Sequence, residues 1–191
     1  TDVVVAGMKA KGYERVILLP LYPHYSRTTT GSSYNAFMRE CQRQHYQPRV
    51  SLIRQWYDNE AYQQAIVDDI RAAAQALPDA DPAHIELLFS AHGLPQKIVD
   101  AGDPYEQHIR ATYEALRAQL GWPHTTLCYQ SRVGPLKWLQ PYTKDVIGAK
   151  GAAGSVLGFG VDELNSAVEE ILAGTSEEHA REAVTESYRT E

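Results

Sequence analysis

Cysteine is scarce in this chain of 191 residues, which contains only Cys41 and Cys128. The two lie far apart and form no CxxC pair, so the sequence offers neither a zinc knuckle nor a disulfide framework. No iron–sulfur cluster is expected for the same reason. The pattern favours two reduced thiols in a cytosolic protein.

Long apolar runs and basic clusters are lacking as well. No run approaches the roughly 20 residues that cross a bilayer, and no signal peptide is recognisable. We therefore expect a cytoplasmic protein without a transmembrane segment, and a peripheral membrane contact stays open. The 18 Lys and Arg residues are scattered against 24 Asp and Glu, for a net charge of −6, which argues against a nucleic-acid partner. The sequence leaves the oligomeric state open.

Nucleotide motifs are missing too. Gly158 and Gly160 follow an apolar run, but Glu163 stands where a GxGxxG motif needs its third glycine. The GxxxxGK[ST] phosphate loop is absent. No nucleotide cofactor is expected.

The chain does contain a regular alternation of apolar runs and amphipathic segments. Periodicity and turn residues predict strands over Val16–Tyr22, Val50–Trp56, Ile85–Ala91, Thr125–Ser131 and Ser155–Phe159. Helices are predicted over Asp2–Lys11, Ser33–Gln44 and Asn59–Leu77, with a further helix after Pro104. This alternation indicates an α/β fold with mostly parallel sheets and flanking helices.

The segment from Leu87 to Tyr105 carries the strongest functional signal. A predicted strand runs into His92 and then breaks at Gly93 and Pro95. In open α/β sheets, reactive groups lie at the carboxyl ends of the strands. A neutral imidazole there could act as a base or bind divalent iron. The alternative is a buried histidine satisfied by hydrogen bonds.

Two further patterns have a functional and a structural interpretation. The hydroxyl-rich stretch Ser26–Ser33 either binds an anionic group near a helix start or forms a turn with a helix cap. Several aromatic residues near strand ends either wall a flat apolar ligand or pack the core: Tyr22, Tyr25, Tyr34, Trp56 and Trp138. The loop Tyr129–Thr143, with Arg132 and two prolines, is of a kind that often shapes a site.

Three strings of the chain resemble signatures of the ferrochelatase family: LPLYPHYSRTTTGSSYNAF, SAHGLPQKIVDAGDPY and YQSRVGPLKWLQPYT. The resemblance covers roughly Val3 to Thr143. It implies two Rossmann-like domains with a porphyrin cleft between them. It also implies a lyase that inserts ferrous iron, as substrate metal, into protoporphyrin IX.

The resemblance implies roles for individual residues. His92 matches the essential histidine, assigned either as iron ligand or as acceptor of a pyrrole proton. Tyr34 matches a porphyrin-contacting tyrosine, Tyr22, Ser26 and Ser33 lie on the same cleft-lining segment, and Trp138 matches a pocket tryptophan.

The carboxylate that faces the histidine in the family has no clear counterpart in SVLGFGVDELNSAVEEIL. Glu163 is the nearest candidate, with Asp162 behind it. The alternative is that both are first-turn acids of a helix.

The resemblance also suggests how the chain is organised. Residues 1–57 are expected to be the carboxy-terminal part of a first Rossmann-like domain, 58–172 a second, and 173–191 a polar tail. Because the chain opens inside a predicted helix, we expect an upstream portion and exposed apolar surface near Val16–Tyr22. Two alternatives to an active ferrochelatase are a non-catalytic tetrapyrrole-binding remnant and a chelatase for another metal or tetrapyrrole.

Overall fold

The computed structural model describes residues 1–150 and 155–160. The chain divides into two compact units. Unit 1 consists of residues 1–57 and 103–108, and unit 2 of residues 58–102 and 109 onward. Both units are mixed α/β, with parallel strands and flanking helices, as the alternating pattern predicts.

Unit 1 contains a two-stranded parallel sheet with both of its helices on one face. Its elements in chain order are α1 (Asp2–Ala10), β1 (Arg15–Leu18), a short π-helical turn (Arg27–Gly31), α2 (Ser32–Arg43) and β2 (Arg49–Leu52). β1 and β2 pair in register from Arg15 with Arg49 to Leu18 with Leu52.

One face of this sheet forms the core of unit 1. Val16 of β1 packs with Val5 of α1 and with Phe37 and Cys41 of α2. The next residue, Ile17, points to the other face and is 72% exposed, because successive side chains of a strand alternate between faces. The helices therefore cover the sheet on one side only among the described residues.

The predicted strand Val16–Tyr22 is longer than the strand in the structure, and an apolar run of this kind is typical of a buried strand, whereas most of these residues are not buried. β1 ends at Leu18, because Pro20 has no N–H group to continue the ladder. Leu21 is 80% exposed and Tyr22 is 48% exposed. The second strand is shorter than predicted as well and ends at Leu52. The expected exposed apolar surface is present here.

Unit 2 is built on a three-stranded parallel sheet in the order β4-β3-β5. Its elements are α3 (Glu60–Gln75), β3 (Ile85–His92), α4 (Gln96–Asp100), α5 (Tyr105–Leu120, whose first turn belongs to unit 1), β4 (Thr125–Gln130), α6 (Thr143–Lys150) and β5 (Ser155–Gly160). The strands β3, β4 and β5 each begin and end within one residue of the predicted bounds.

The central strand β3 is covered by helices on both faces. Leu88 packs with Cys128 of β4 and Val146 of α6. Phe89 points the opposite way, and its ring meets Tyr113 of α5 edge-on at 5.2 Å. A strand enclosed on both faces has a nearly continuous apolar sequence. For that reason the sequence predicts the bounds of β3 closely. Helix α6 was not predicted, since its sequence TKDVIGAK has weak periodicity.

Candidate functional site

His92 is the last residue of β3, and its side chain is exposed. The interpretation as a buried histidine is therefore wrong. Its Nδ1 lies 2.8 Å from the carbonyl oxygen of Gly93. A carbonyl only accepts hydrogen bonds, so Nδ1 carries the proton, and in the neutral ring the lone pair is on Nε2. That tautomer can accept a proton or bind a divalent metal through Nε2.

Gly93 fixes the backbone immediately after the histidine. Its N–H donates to the carbonyl of Gln130 at 2.9 Å. A Cβ at this position would lie 2.9 Å from that same oxygen and 3.3 Å from Cε3 of Trp138. Only glycine allows so close an approach. The end of β3 is thus held against the end of β4.

Trp138 lies on the loop that pairs with the segment following His92. Pro95 and Trp138 form an antiparallel bridge, and the N–H of Leu139 donates to the carbonyl of Leu94 at 2.9 Å. The indole N–H of Trp138 donates to the carbonyl of Val133 at 3.0 Å. The structure therefore brings two predicted site residues together in unit 2: His92 at the end of β3, and Trp138 on the loop that pairs with the segment after it.

The far end of the Trp138 loop is anchored by side chains at the start of α6. The Ser90 and Thr143 hydroxyls lie 2.8 Å apart, and the Thr143 hydroxyl donates to Sγ of Cys128 at 3.3 Å. Burial raises the pKa of the Cys128 thiol. Cys128 is therefore a packing residue, and it is not in a disulfide.

Ser26, in unit 1, is fully buried. Its Oγ accepts from the N–H of Thr28 at 3.1 Å and thereby caps the π-helical turn. The same hydroxyl donates to Oδ2 of Asp103 at 3.1 Å. The Ser26 hydroxyl is thus bound within the protein, and a contact between Ser26 and a ligand stays a prediction. At Ser26 the interpretation as a turn and cap holds.

Asp103 is the buried partner of that segment, with a 3% exposed side chain. Besides Ser26, its Oδ2 accepts from the backbone N–H of Arg27 at 2.7 Å. Its Oδ1 accepts from the N–H of Tyr105 at 3.0 Å and so caps α5. The sequence Asp-Pro marks the helix start, but the contacts to residues more than 70 positions away have no local signal.

A second group that the sequence did not reveal surrounds His24, which is 2% exposed. Its ring stacks on Tyr57 at 5.8 Å and meets Tyr105 edge-on at 6.1 Å. Burial, and then the neighbouring His108, lower the pKa of His24 from 6.5 to about 3. The N–H of Tyr25 donates to Nδ1 of His108 at 3.2 Å.

The remaining predicted site residues of unit 1 are more accessible. Tyr22 is 48% exposed on the segment that follows β1. Ser33 is exposed and Tyr34 is partly buried in the first turn of α2. The π-helical turn runs directly into α2, and the N–H of Ser32 donates to the Thr29 carbonyl, so the polar groups that Ser33 and Tyr34 can offer a ligand are their side-chain hydroxyls.

Two of the aromatics expected to form a ligand wall contact nearby groups of unit 1. The Arg54 guanidinium lies 4.5 Å from the centre of the Tyr25 ring, and the indole N–H of Trp56 donates to the carbonyl of Pro20 at 3.2 Å. Tyr25 and Trp56 are both partly buried, and their place in a ligand wall stays a prediction. In unit 2, Arg132 lies over the ring of Tyr142 at 5.1 Å.

The candidate carboxylates Glu163 and Asp162 lie outside the described residues. Among residues 1–150 and 155–160, no group of three or more His, Cys, Asp or Glu residues could hold a metal ion. No helix in the described part of the chain is long and apolar enough to span a membrane.

Comparison with known proteins gives a consistent result. The sequence model of the ferrochelatase family matches residues 1–190. The chain is 41% identical over 158 residues to a protein named ferrochelatase from Synechococcus sp. strain RCC307, covering 81% of this chain and 40% of that protein. The corresponding protein of Wolinella succinogenes is 41% identical over 152 residues, covering 77% of this chain and 47% of the relative. The chain thus spans less than half the length of these curated relatives.

Proposed function

The chain belongs to the ferrochelatase family, and on that premise we propose that it serves as a lyase that inserts ferrous iron into protoporphyrin IX to give protohaem. The observation that carries this proposal is His92. An exposed imidazole that donates from Nδ1 to the Gly93 carbonyl has its lone pair on Nε2. Family membership favours this role over a non-catalytic tetrapyrrole-binding remnant.

The reaction requires such a group. Metallation exchanges two pyrrole N–H protons for one Fe²⁺, and both protons must leave the macrocycle. A base at the ring face accepts them, while iron needs a weak, incomplete set of ligands that can release it to the ring nitrogens. His92 meets either need, as the acceptor of a pyrrole proton or as the donor to the incoming iron.

The remaining roles follow from the same premise. We propose that Tyr22, Ser33 and Tyr34 contact the porphyrin, with their hydroxyls near an anionic propionate. Trp138 would pack against the porphyrin ring. Ser26 supports this segment from inside unit 1.

We further propose that Glu163 supplies the facing carboxylate, with Asp162 as the alternative. Residues 1–57 and 58–172 would belong to two Rossmann-like domains, and residues 173–191 would be a polar tail. A cytoplasmic location and a peripheral membrane contact remain predictions.

Porphyrin binding can be tested on the 191-residue chain through its three tryptophans. We expect protoporphyrin IX to quench their fluorescence in a saturable way, after correction against free tryptophan. Tyr34→Ala should weaken binding several-fold, because it removes a proposed ring contact. Tyr13→Ala, a change at a half-exposed tyrosine of the same unit, serves as the matched control. Fluorescence unchanged at excess porphyrin, or equal weakening by both variants, would refute the proposal for this chain.

A further inference from the structure

We propose that Asp103 is a positioning residue that holds the segment Ser26–Tyr34 in the conformation that meets the porphyrin. This inference rests on the proposed function for its ligand, and on the contacts within unit 1 for its geometry. Asp103 touches no substrate in this account. Its effect passes through Ser26 and the π-helical turn to the first turn of α2.

The first step is that the Asp103 carboxylate is held by hydrogen bonds from three donors within unit 1. Its two oxygens accept three hydrogen bonds, from Arg27 N at 2.7 Å, Ser26 Oγ at 3.1 Å and Tyr105 N at 3.0 Å. All three partners are donors, so the site requires a group that only accepts, which an ionised carboxylate does. Hydrogen bonds to a charged acceptor are also stronger than neutral ones. A buried carboxylate held in this way fixes the backbone at Arg27.

The second step is that His108 holds the adjacent residue. The N–H of Tyr25 donates to Nδ1 of His108, five residues after Asp103. Asp103, just before α5, and His108, in its first turns, therefore bind three consecutive residues: Tyr25, Ser26 and Arg27. Fixing three residues in a row determines the direction in which the chain leaves this point.

The third step is a continuous hydrogen-bond path from Ser26 to α2. The N–H of Gly31 donates to the Ser26 carbonyl at 3.0 Å. The Ser32 hydroxyl donates to the carbonyls of Thr28 and Thr29 at 2.8 and 2.9 Å. Ser33 and Tyr34 follow directly. A shift at Ser26 is thus transmitted to the residues that we assign to porphyrin contact.

Asp103→Asn provides the test, since it keeps the side-chain volume but turns an N–H₂ group toward the donors. Asp100→Asn is the matched control, because it removes the same charge from an exposed residue of α4. Asp103→Glu keeps a carboxylate that can accept the three hydrogen bonds, but it lengthens the side chain by one methylene group. The whole 191-residue chain is titrated with protoporphyrin IX, and the dissociation constant and the absorption band of the bound porphyrin are compared. Amide hydrogen exchange at Arg27 and Thr28 is measured without ligand.

We expect Asp103→Asn to raise the dissociation constant about tenfold, to alter the bound porphyrin's absorption band and to accelerate exchange at Arg27 and Thr28. Asp103→Glu should recover part of the affinity, and Asp100→Asn should behave as the unmodified chain. If Asp103→Asn does not fold, Ser26→Ala replaces it, with about threefold weaker binding expected.

Two results would overturn the inference: unmodified affinity in the folded Asp103 and Ser26 variants, or unmodified exchange at Arg27 and Thr28. If the unmodified chain binds no porphyrin, the proposed function fails on its own. Hydrogen exchange still decides whether Asp103 holds the segment.

Discussion

The two units position their candidate functional residues in different ways. In unit 2, His92 ends a strand that is enclosed on both faces, and backbone hydrogen bonds on either side of Gly93 fix its place. In unit 1, the segment Ser26–Tyr34 follows a short strand and is fixed by side chains, chiefly Asp103. The proposed reactive group thus lies on regular secondary structure, whereas the segment proposed to meet the ligand depends on a few specific buried polar contacts.

The largest effect on stability is expected at Gly93. Gly93→Ala should lower the free energy of unfolding by about 3 kcal/mol, because the new methyl group would overlap the Gln130 carbonyl, which is backbone and cannot move aside. Gly148→Ala in α6 is the control, since a Cβ there meets nothing within 4 Å and alanine favours the helix. Denaturant unfolding measures both. A loss below about 1 kcal/mol for Gly93→Ala would mean that the backbone does not hold His92 tightly.

The next largest effect is expected on the way the free energy of unfolding depends on pH, through His24 in unit 1. An unfolded histidine titrates near 6.5, whereas His24 in the folded chain has a pKa of about 3. Between these values the unfolded chain binds more protons, so stability falls as the pH falls, by about 2 kcal/mol between neutrality and pH ~5. His24→Phe should remove most of this loss, because the ring can no longer be protonated. The groups around position 24 are the same in the unmodified chain and in His24→Phe, namely His108, Tyr57 and Tyr105.

The control for this prediction is His84→Gln on the surface of unit 2. Asp79 raises the pKa of His84, so its contribution has the opposite sign, and solvent screens it. Unfolding followed against pH distinguishes the variants. Equal pH dependence of the unmodified chain and His24→Phe would show that His24 is not held neutral by burial.

The smallest effect is expected at Thr30. Its side chain is fully buried, and its hydroxyl has no hydrogen-bond partner among the described residues. Thr30→Val should therefore raise the free energy of unfolding by about 1 kcal/mol, since it replaces an unsatisfied polar group by a methyl of similar shape. Thr143→Val in unit 2 should instead lower it, because that hydroxyl bonds Ser90 and Cys128. If both variants lose stability alike, Thr30 has a partner within the folded chain.

The same contrast explains what the sequence predicted. The strands of unit 2, and His92 at the end of β3, follow from apolar runs and from the Gly-Pro break, which are local signals. β1 was misjudged because the prediction extended an apolar run through Pro20, and because an apolar run does not tell which face is covered. The bonds from Asp103 to Ser26 and Arg27 join residues 77 and 76 positions apart, and the local sequence does not specify such pairings. The roles of Tyr34, Trp138 and Ser26 as porphyrin contacts come from the resemblance alone and stay predictions.

We propose that His92 acts on the macrocycle while other residues hold it. The most direct measurement compares metal insertion and porphyrin binding in a His92→Ala variant of a polypeptide that inserts metal, whether this chain or a longer one that contains it. We predict that insertion of ferrous iron into protoporphyrin IX is abolished, while the dissociation constant for porphyrin and the unfolding transition stay close to the unmodified values, because the imidazole is exposed. Retained insertion in His92→Ala would contradict the account.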